Sequence, residues 1–206
     1  MDKQEDQNTL TLKLKTDVLP PKNSLIFKLI QGLPLKKKEN VLEIDLASLE
    51  HLTYLLQKAE NISYSGTYHT EALTNSAFSI DEANGNAIEL IKTTDNQLDF
   101  DDNSFDYCFT ANTIYFWPDP IKYLTESYRV LKSGGKMNLA FVEKNFGAHL
   151  PWTQLDFTFY EIDEVKTFFK KSGFTNIEAK EMTETITDQN GKEINKPFIM
   201  VSGQKK

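Results

Sequence analysis

The chain has 206 residues, 39% of them apolar and 26% charged, enough for one large domain whose sheet is covered on both faces. A net charge of −7 argues against a sequence-independent nucleic-acid binder, which needs clustered surplus Lys and Arg; the run Lys36-Lys37-Lys38 reads as a solvated turn. One cysteine, three scattered histidines and no apolar run of about 20 residues speak against an internal disulfide, a zinc site and a membrane span. The acidic start MDKQEDQNTL lacks a secretory pattern, so a reducing, cytoplasmic setting is expected.

In chain order, residues 1–20 form an arm. Leu10, Leu12 and Leu14 alternate with polar residues there, as in an edge strand or a contact with a second copy; an unstructured arm is the other reading. Pro20-Pro21 breaks both helix and ladder, and residues 21–206 are expected as a single domain. The stretch 23–31 predicts a helix capped by Asn23 or Ser24, and 41–45 a first strand. Ser48 can cap a helix that carries Leu49, Leu52, Leu55 and Leu56 on one face. Strands follow at 62–66, 87–92 and 105–110, with a weak helix near 70–78. Cys108, inside the apolar run Phe105 to Phe109, reads as a small buried hydrophobe.

Residues 119–132 predict a strong helix with Pro120 in its first turn, ended by Gly134-Gly135. A fifth strand at 137–142 and a helix at 161–172 come next. Asn190-Gly191 between β-rich runs signals a hairpin with strands near 175–187 and 192–203. Repeated βα units followed by a hairpin imply a mostly parallel sheet with one antiparallel member.

Residues 98–142 carry a further pattern: Leu98, Phe100, Asp102, Ser104, Phe105 and Asp106, then Arg129-Val130-Leu131-Lys132 and Gly134-Gly135. This resembles the second half of class I S-adenosylmethionine-dependent methyltransferases, in the small-molecule, quinone-biosynthesis-like branch. Asp99 and Ser133 stand where that pattern has proline. A looser likeness runs over residues 25–203 and includes Gly173-Phe174. The resemblance implies a Rossmann-like, doubly wound α/β fold. Its seven-stranded sheet would have the order 3-2-1-4-5-7-6, with the last strand antiparallel and helices on both faces. Ligands of such sheets settle at the carboxyl ends of the strands beside the switch point.

The same resemblance places the cofactor residues. Glu43 keeps the family's acidic position after the first strand, but three glycines become Asp45, Ala47 and Leu49. Glycines there let backbone amides approach a ligand. Tyr68 stands where the family has the acid that takes ribose hydroxyls, and Thr94 or Asp95 stands near the adenine position. Asn112 follows the fourth strand. Asp45 either faces the cofactor carboxylate, which opposes binding, or turns outward and caps the Ser48 helix. Tyr115, Phe116 and Trp117, with His149, Trp152 and Tyr160 from a lid over 146–160, are the expected substrate pocket for an aromatic or apolar small molecule. Tyr115 and His149 are candidates for a general base by location alone. No metal ligand set is expected. Two readings stay open: a small-molecule methyltransferase with an altered cofactor loop, and a non-catalytic relative serving as a binding or regulatory module. Dinucleotide oxidoreduction would need the glycines this chain lacks.

Overall fold

The computed structural model describes residues 24–69, 85–93, 97–144, 158–187, 191 and 193–206. Strand β1 (Asn40–Glu43) has Val41 and Leu42 on opposite faces, and both are fully buried. Such a strand belongs in the middle of a two-faced sheet. It pairs in parallel with β2 (Ser63–Tyr68) on one side and with β4 (Phe105–Ala111) on the other. Outside these lie β3 (Ala87–Lys92) and β5 (Leu131–Phe141). The hairpin of β6 (Thr175–Thr187) and β7 (Glu193–Gln204) completes the order β3-β2-β1-β4-β5-β7-β6. Strand β7 runs antiparallel to both its neighbours. The expected strand order and its antiparallel member are therefore borne out.

Period-two alternation sorts the strand side chains into two apolar layers. Leu42, Cys108, Leu139 and Ile199 pack with α3 (Pro120–Val130) and α4 (Ile162–Lys171). Val41, Phe109, Ala140 and Phe198, each the chain neighbour of one of those four, pack with α1 (Leu25–Gly32) and α2 (Leu52–Leu56). Cys108 is core, as read from its neighbours, and burial holds its thiol well above the ordinary range.

Three element ends differ from expectation. Helix α2 begins at Leu52 rather than after Ser48, because Leu46 and Leu49 turn into the apolar layer and hold residues 44–51 in an irregular turn. Helix α3 stops at Val130, since Leu131 already pairs with Phe105. Gly134-Gly135 therefore lies in an irregular stretch of β5, not in a helix cap. Gly134 supplies a φ of +82°, and a Cβ on Gly135 would sit 2.9 Å from the Lys132 carbonyl oxygen. Ser24 occupies the N-cap of α1 without a side-chain hydrogen bond; Glu184 of β6 accepts the Leu25 amide at 3.1 Å instead. The arm 1–20, the helix near 70–78 and most of the lid 146–160 lie outside the described residues.

The pattern over 98–132 has a structural explanation. The Arg129 guanidinium donates to the carbonyl oxygens of Leu98 and Phe100 and to the carboxylates of Asp102 and Glu126. These bonds tie the approach to β4 onto α3. Asp106 accepts from the Asn40 amide and from Lys132, joining the starts of β1, β4 and β5. All of this lies at the amino ends of the strands, away from where a ligand would bind.

Candidate functional site

At the carboxyl ends of β1 and β4 the molecule contains a cavity of about 700 Å³, within the usual size of a small-molecule site. Its floor is the turn that follows β1. Asp45 there adopts a φ of +56°, the left-handed conformation for which glycine is the usual choice and which Asp tolerates better than most residues. The backbone therefore keeps a glycine-like path. The amide of Asp45 donates to Thr67 Oγ1 and that of Leu46 to the Thr67 carbonyl oxygen.

The Asp45 side chain turns inward. One oxygen accepts from Trp117 Nε1 at 2.8 Å, and the other lies 2.7 Å from His69 Nε2. His69 Nδ1 in turn lies 2.9 Å from the Thr93 carbonyl oxygen. A carbonyl oxygen only accepts, so Nδ1 must carry a proton, and a second proton must lie between Nε2 and Asp45. The pair is either imidazolium with carboxylate or imidazole with carboxylic acid. Burial raises the Asp45 pKa above its ordinary value of 3.8, opposed by the bonds from Trp117 and His69. The indole of Trp117 stacks on Tyr123 of α3 with ring centroids 4.6 Å apart. One polar chain thus links the carboxyl ends of β3, β2 and β1 to the segment after β4. An outward Asp45 capping the Ser48 helix is not what the structure has.

Beside it, Glu43 is buried with one oxygen accepting from Tyr64 Oη at 2.5 Å and lying 2.7 Å from His51 Nε2. Burial, with Glu43 alongside, keeps the Tyr64 phenol protonated. Ala47 and Ser48 complete the floor. Their backbone amides meet no backbone acceptor among the described residues. Leu49, the third glycine replacement, packs into the core and leaves the cavity clear.

Of the expected cofactor residues, Glu43, Asp45, Ala47 and Asn112 line this one cavity. Tyr68 does not: it packs against the apolar layer that contains Tyr64, and the next residue, His69, faces the cavity. In a strand adjacent residues take opposite faces, so a count displaced by one moves the side chain across the sheet. Thr94 and Asp95 lie outside the described residues.

Of the expected substrate residues, Phe116 forms part of the wall and is 57% exposed. Tyr115 is buried behind it. Its hydroxyl accepts from the Val142 amide and donates to Asn112 Oδ1 at 3.2 Å, and burial raises its pKa, so it is a poor base. Trp117 acts through Asp45. Tyr160 packs edge-on against Phe168 and is not part of the lining. His149 and Trp152 lie outside the described residues.

Sequence reasoning missed His51, His69 and three contributions from distant chain: Ser24, Leu25 and Glu184. Strand parity from Tyr64 could have pointed to His69. Nothing local marks Glu184, which reaches the cavity from the terminal hairpin.

A family model described as a methyltransferase domain matches residues 49–139. Phosphoethanolamine N-methyltransferase 2 of Caenorhabditis elegans is 32% identical over 89 residues, 41% of this chain and 20% of that protein. The chloroplastic 2-methyl-6-phytyl-1,4-hydroquinone methyltransferase 1 of Oryza sativa subsp. japonica is 30% identical over 96 residues, 46% of this chain and 29% of that one. Among solved structures, a SAM-dependent methyltransferase from Thermotoga maritima has a TM-score of 0.64 at 22% identity and covers 88% of each chain, a likeness of fold. The chain spans between 20% and 51% of the length of the curated relatives it matches.

Proposed function

We propose that this chain is a class I S-adenosylmethionine-dependent methyltransferase, that its cavity binds S-adenosylmethionine and that the methyl group passes to a small molecule. One observation carries the reading: a cavity of about 700 Å³ lies at the carboxyl ends of β1 and β4, where the strand order reverses. The turn after β1 supports it, because Asp45 preserves the left-handed backbone that a glycine would adopt.

When bound, S-adenosylmethionine supplies an activated methyl on a sulfonium, so the protein's task is chiefly positioning. The amides of Ala47 and Ser48 would hold an anionic end of the cofactor, as backbone N–H groups in a turn do elsewhere. Asp45 and His69 would meet hydroxyl groups, Glu43 and Asn112 would orient the remainder, and Thr94 or Asp95 would approach the base. Phe116 offers an apolar ring to the acceptor, backed by Tyr115. His149 and Trp152 are proposed to approach the acceptor from the segment after β5. Trp117 and Tyr160 would serve as support and not as contacts.

Calorimetric titration with S-adenosylmethionine and S-adenosylhomocysteine tests this directly. Dissociation constants in the micromolar range are expected. No heat up to millimolar ligand would remove the reading and leave a fold without its cofactor.

A further inference from the structure

His51 is 3% exposed, yet it lines the cavity. Its Nε2 lies 2.7 Å from Glu43 Oε2, and the same oxygen accepts from Tyr64 Oη. All three side chains are buried. A ring held at one nitrogen by packed, hydrogen-bonded neighbours has its other nitrogen fixed in place as well. That nitrogen, Nδ1, meets no hydrogen-bond partner among the described residues. Nor is it sealed off: the buried side-chain nitrogen without a partner among the described residues is Asn138 Nδ2, not His51 Nδ1. Nδ1 therefore keeps its small accessible surface toward the cavity. Buried polar groups are almost always paired, so a fixed ring nitrogen left open to a cavity points to a ligand.

The rest of the lining narrows the chemistry of that ligand. Its described residues include no Lys or Arg. Of the two histidines, His69 has both nitrogens engaged, by Asp45 and by the Thr93 carbonyl oxygen. The other acids are engaged too: Asp45 by Trp117 and His69, Glu184 by the Leu25 amide and Lys196. His51 follows three positions after Ser48, whose amide, like that of Ala47, meets no backbone acceptor among the described residues. Two amides and one ring N–H on a single turn suit a carboxylate. Glu43 behind the ring and a carboxylate before it would place the imidazole between two acceptors, and hydrogen bonds to a charged group are the stronger kind.

We propose that His51 Nδ1 binds the carboxylate at the amino-acid end of S-adenosylmethionine, with Glu43 and Tyr64 behind it as positioning residues. This rests on the cofactor-binding reading above and names the side chain that recognises one end of the ligand. A side-chain donor here makes up for Asp45 and Leu49 standing where glycines would let backbone amides approach.

The test titrates the full chain by calorimetry with S-adenosylhomocysteine and with decarboxylated S-adenosylhomocysteine, which lacks the carboxylate alone. Wild type is expected to bind the decarboxylated compound at least about thirtyfold more weakly. His51→Gln keeps an amide able to reach Glu43 and removes the cavity-facing nitrogen. It should weaken S-adenosylhomocysteine at least about tenfold and leave the decarboxylated compound within about threefold. Nitrogen NMR of the imidazole rings gives a reading in wild type, without any variant. The Nδ1 signal of His51 should shift on saturation with S-adenosylhomocysteine and stay in place with the decarboxylated compound. Equal wild-type affinities, a His51→Gln loss shared by both ligands, or an Nδ1 signal indifferent to the carboxylate would each overturn the inference. Failure of S-adenosylhomocysteine to bind wild type would instead remove the cofactor-binding premise, and the first titration alone reads that outcome.

Discussion

At the scale of single residues, Asp45 concentrates the physics of the site. It carries a positive φ, a raised pKa, a bond to a buried indole and a partner histidine. Replacement separates these contributions. Asp45→Asn keeps the tolerated left-handed conformation and an acceptor for Trp117, and should cost at most about 1 kcal/mol. Asp45→Gly removes the conformational cost but strands the indole N–H, for a net loss of about 1–2 kcal/mol. Asp45→Ala combines strain with the lost bond and should cost about 3 kcal/mol. Urea denaturation reads the ordering, and an Ala variant as stable as Asn would contradict it. The pH dependence follows the sign of the shift. The folded state holds the Asp45 proton more tightly than the unfolded chain, so this contribution is complete below about pH 3.8 and is lost as pH rises through the higher folded value. Wild type should therefore lose stability relative to Asp45→Asn as pH climbs from 4 toward 7, in paired unfolding curves across that range.

At the scale of elements, two long-range polar contacts replace what local sequence fails to supply. Helix α1 has no side-chain cap of its own, and Glu184 provides one from a strand 159 positions away. At its other end Lys58 donates to the carbonyl oxygens of Ile30 and Gln31. The clamp of Arg129 on residues 98–102 is more extensive, and a planar fork with several fixed donors is what makes it work. Arg129→Lys presents one point charge to four acceptors and should destabilise the fold by about 2 kcal/mol. Because the clamp lies at the amino ends of the strands, affinity for S-adenosylhomocysteine in the folded protein should change less than about threefold. Denaturation and calorimetry on the same variant check both halves; a large loss of affinity would mean that the two ends of the sheet are coupled. That location also explains why the family-like pattern over 98–132 spoke clearly of fold and little of activity.

At the scale of the whole molecule, the cavity draws on α1, the turn after β1, the end of β2, the segment after β4 and the terminal hairpin. A ligand that bridges these parts should stabilise the molecule as a unit. At a hundredfold excess over its dissociation constant, a ligand adds about 2.7 kcal/mol, and a domain of this size gains about 2–4 °C in Tm for each kcal/mol. S-adenosylhomocysteine should therefore raise Tm by about 5–10 °C in a thermal melt, rising with the logarithm of its concentration. A concentration-independent Tm would contradict binding to the native state. Among the described residues no helix is long and apolar enough to cross a membrane.

Sequence by itself determined a mostly parallel sheet with one antiparallel member, the two-faced core and the terminal hairpin. These follow from alternation, from turn residues such as Asn190-Gly191, and from runs like Phe105 to Phe109, all of which act over a few neighbouring positions. The strand order, and the expectation that Glu43, Asp45, Ala47 and Asn112 meet at one end of the sheet, came from the likeness to a known family over residues 98–142 and not from local pattern. Only the tertiary structure decided where those side chains point. Whether Asp45 turned inward depended on Trp117, 72 positions away, and on His69 rather than Tyr68 facing the cavity. A hydrogen bond between side chains far apart in the chain leaves no periodic trace in sequence. The pleat also converts a one-residue difference in count into an opposite face of the sheet.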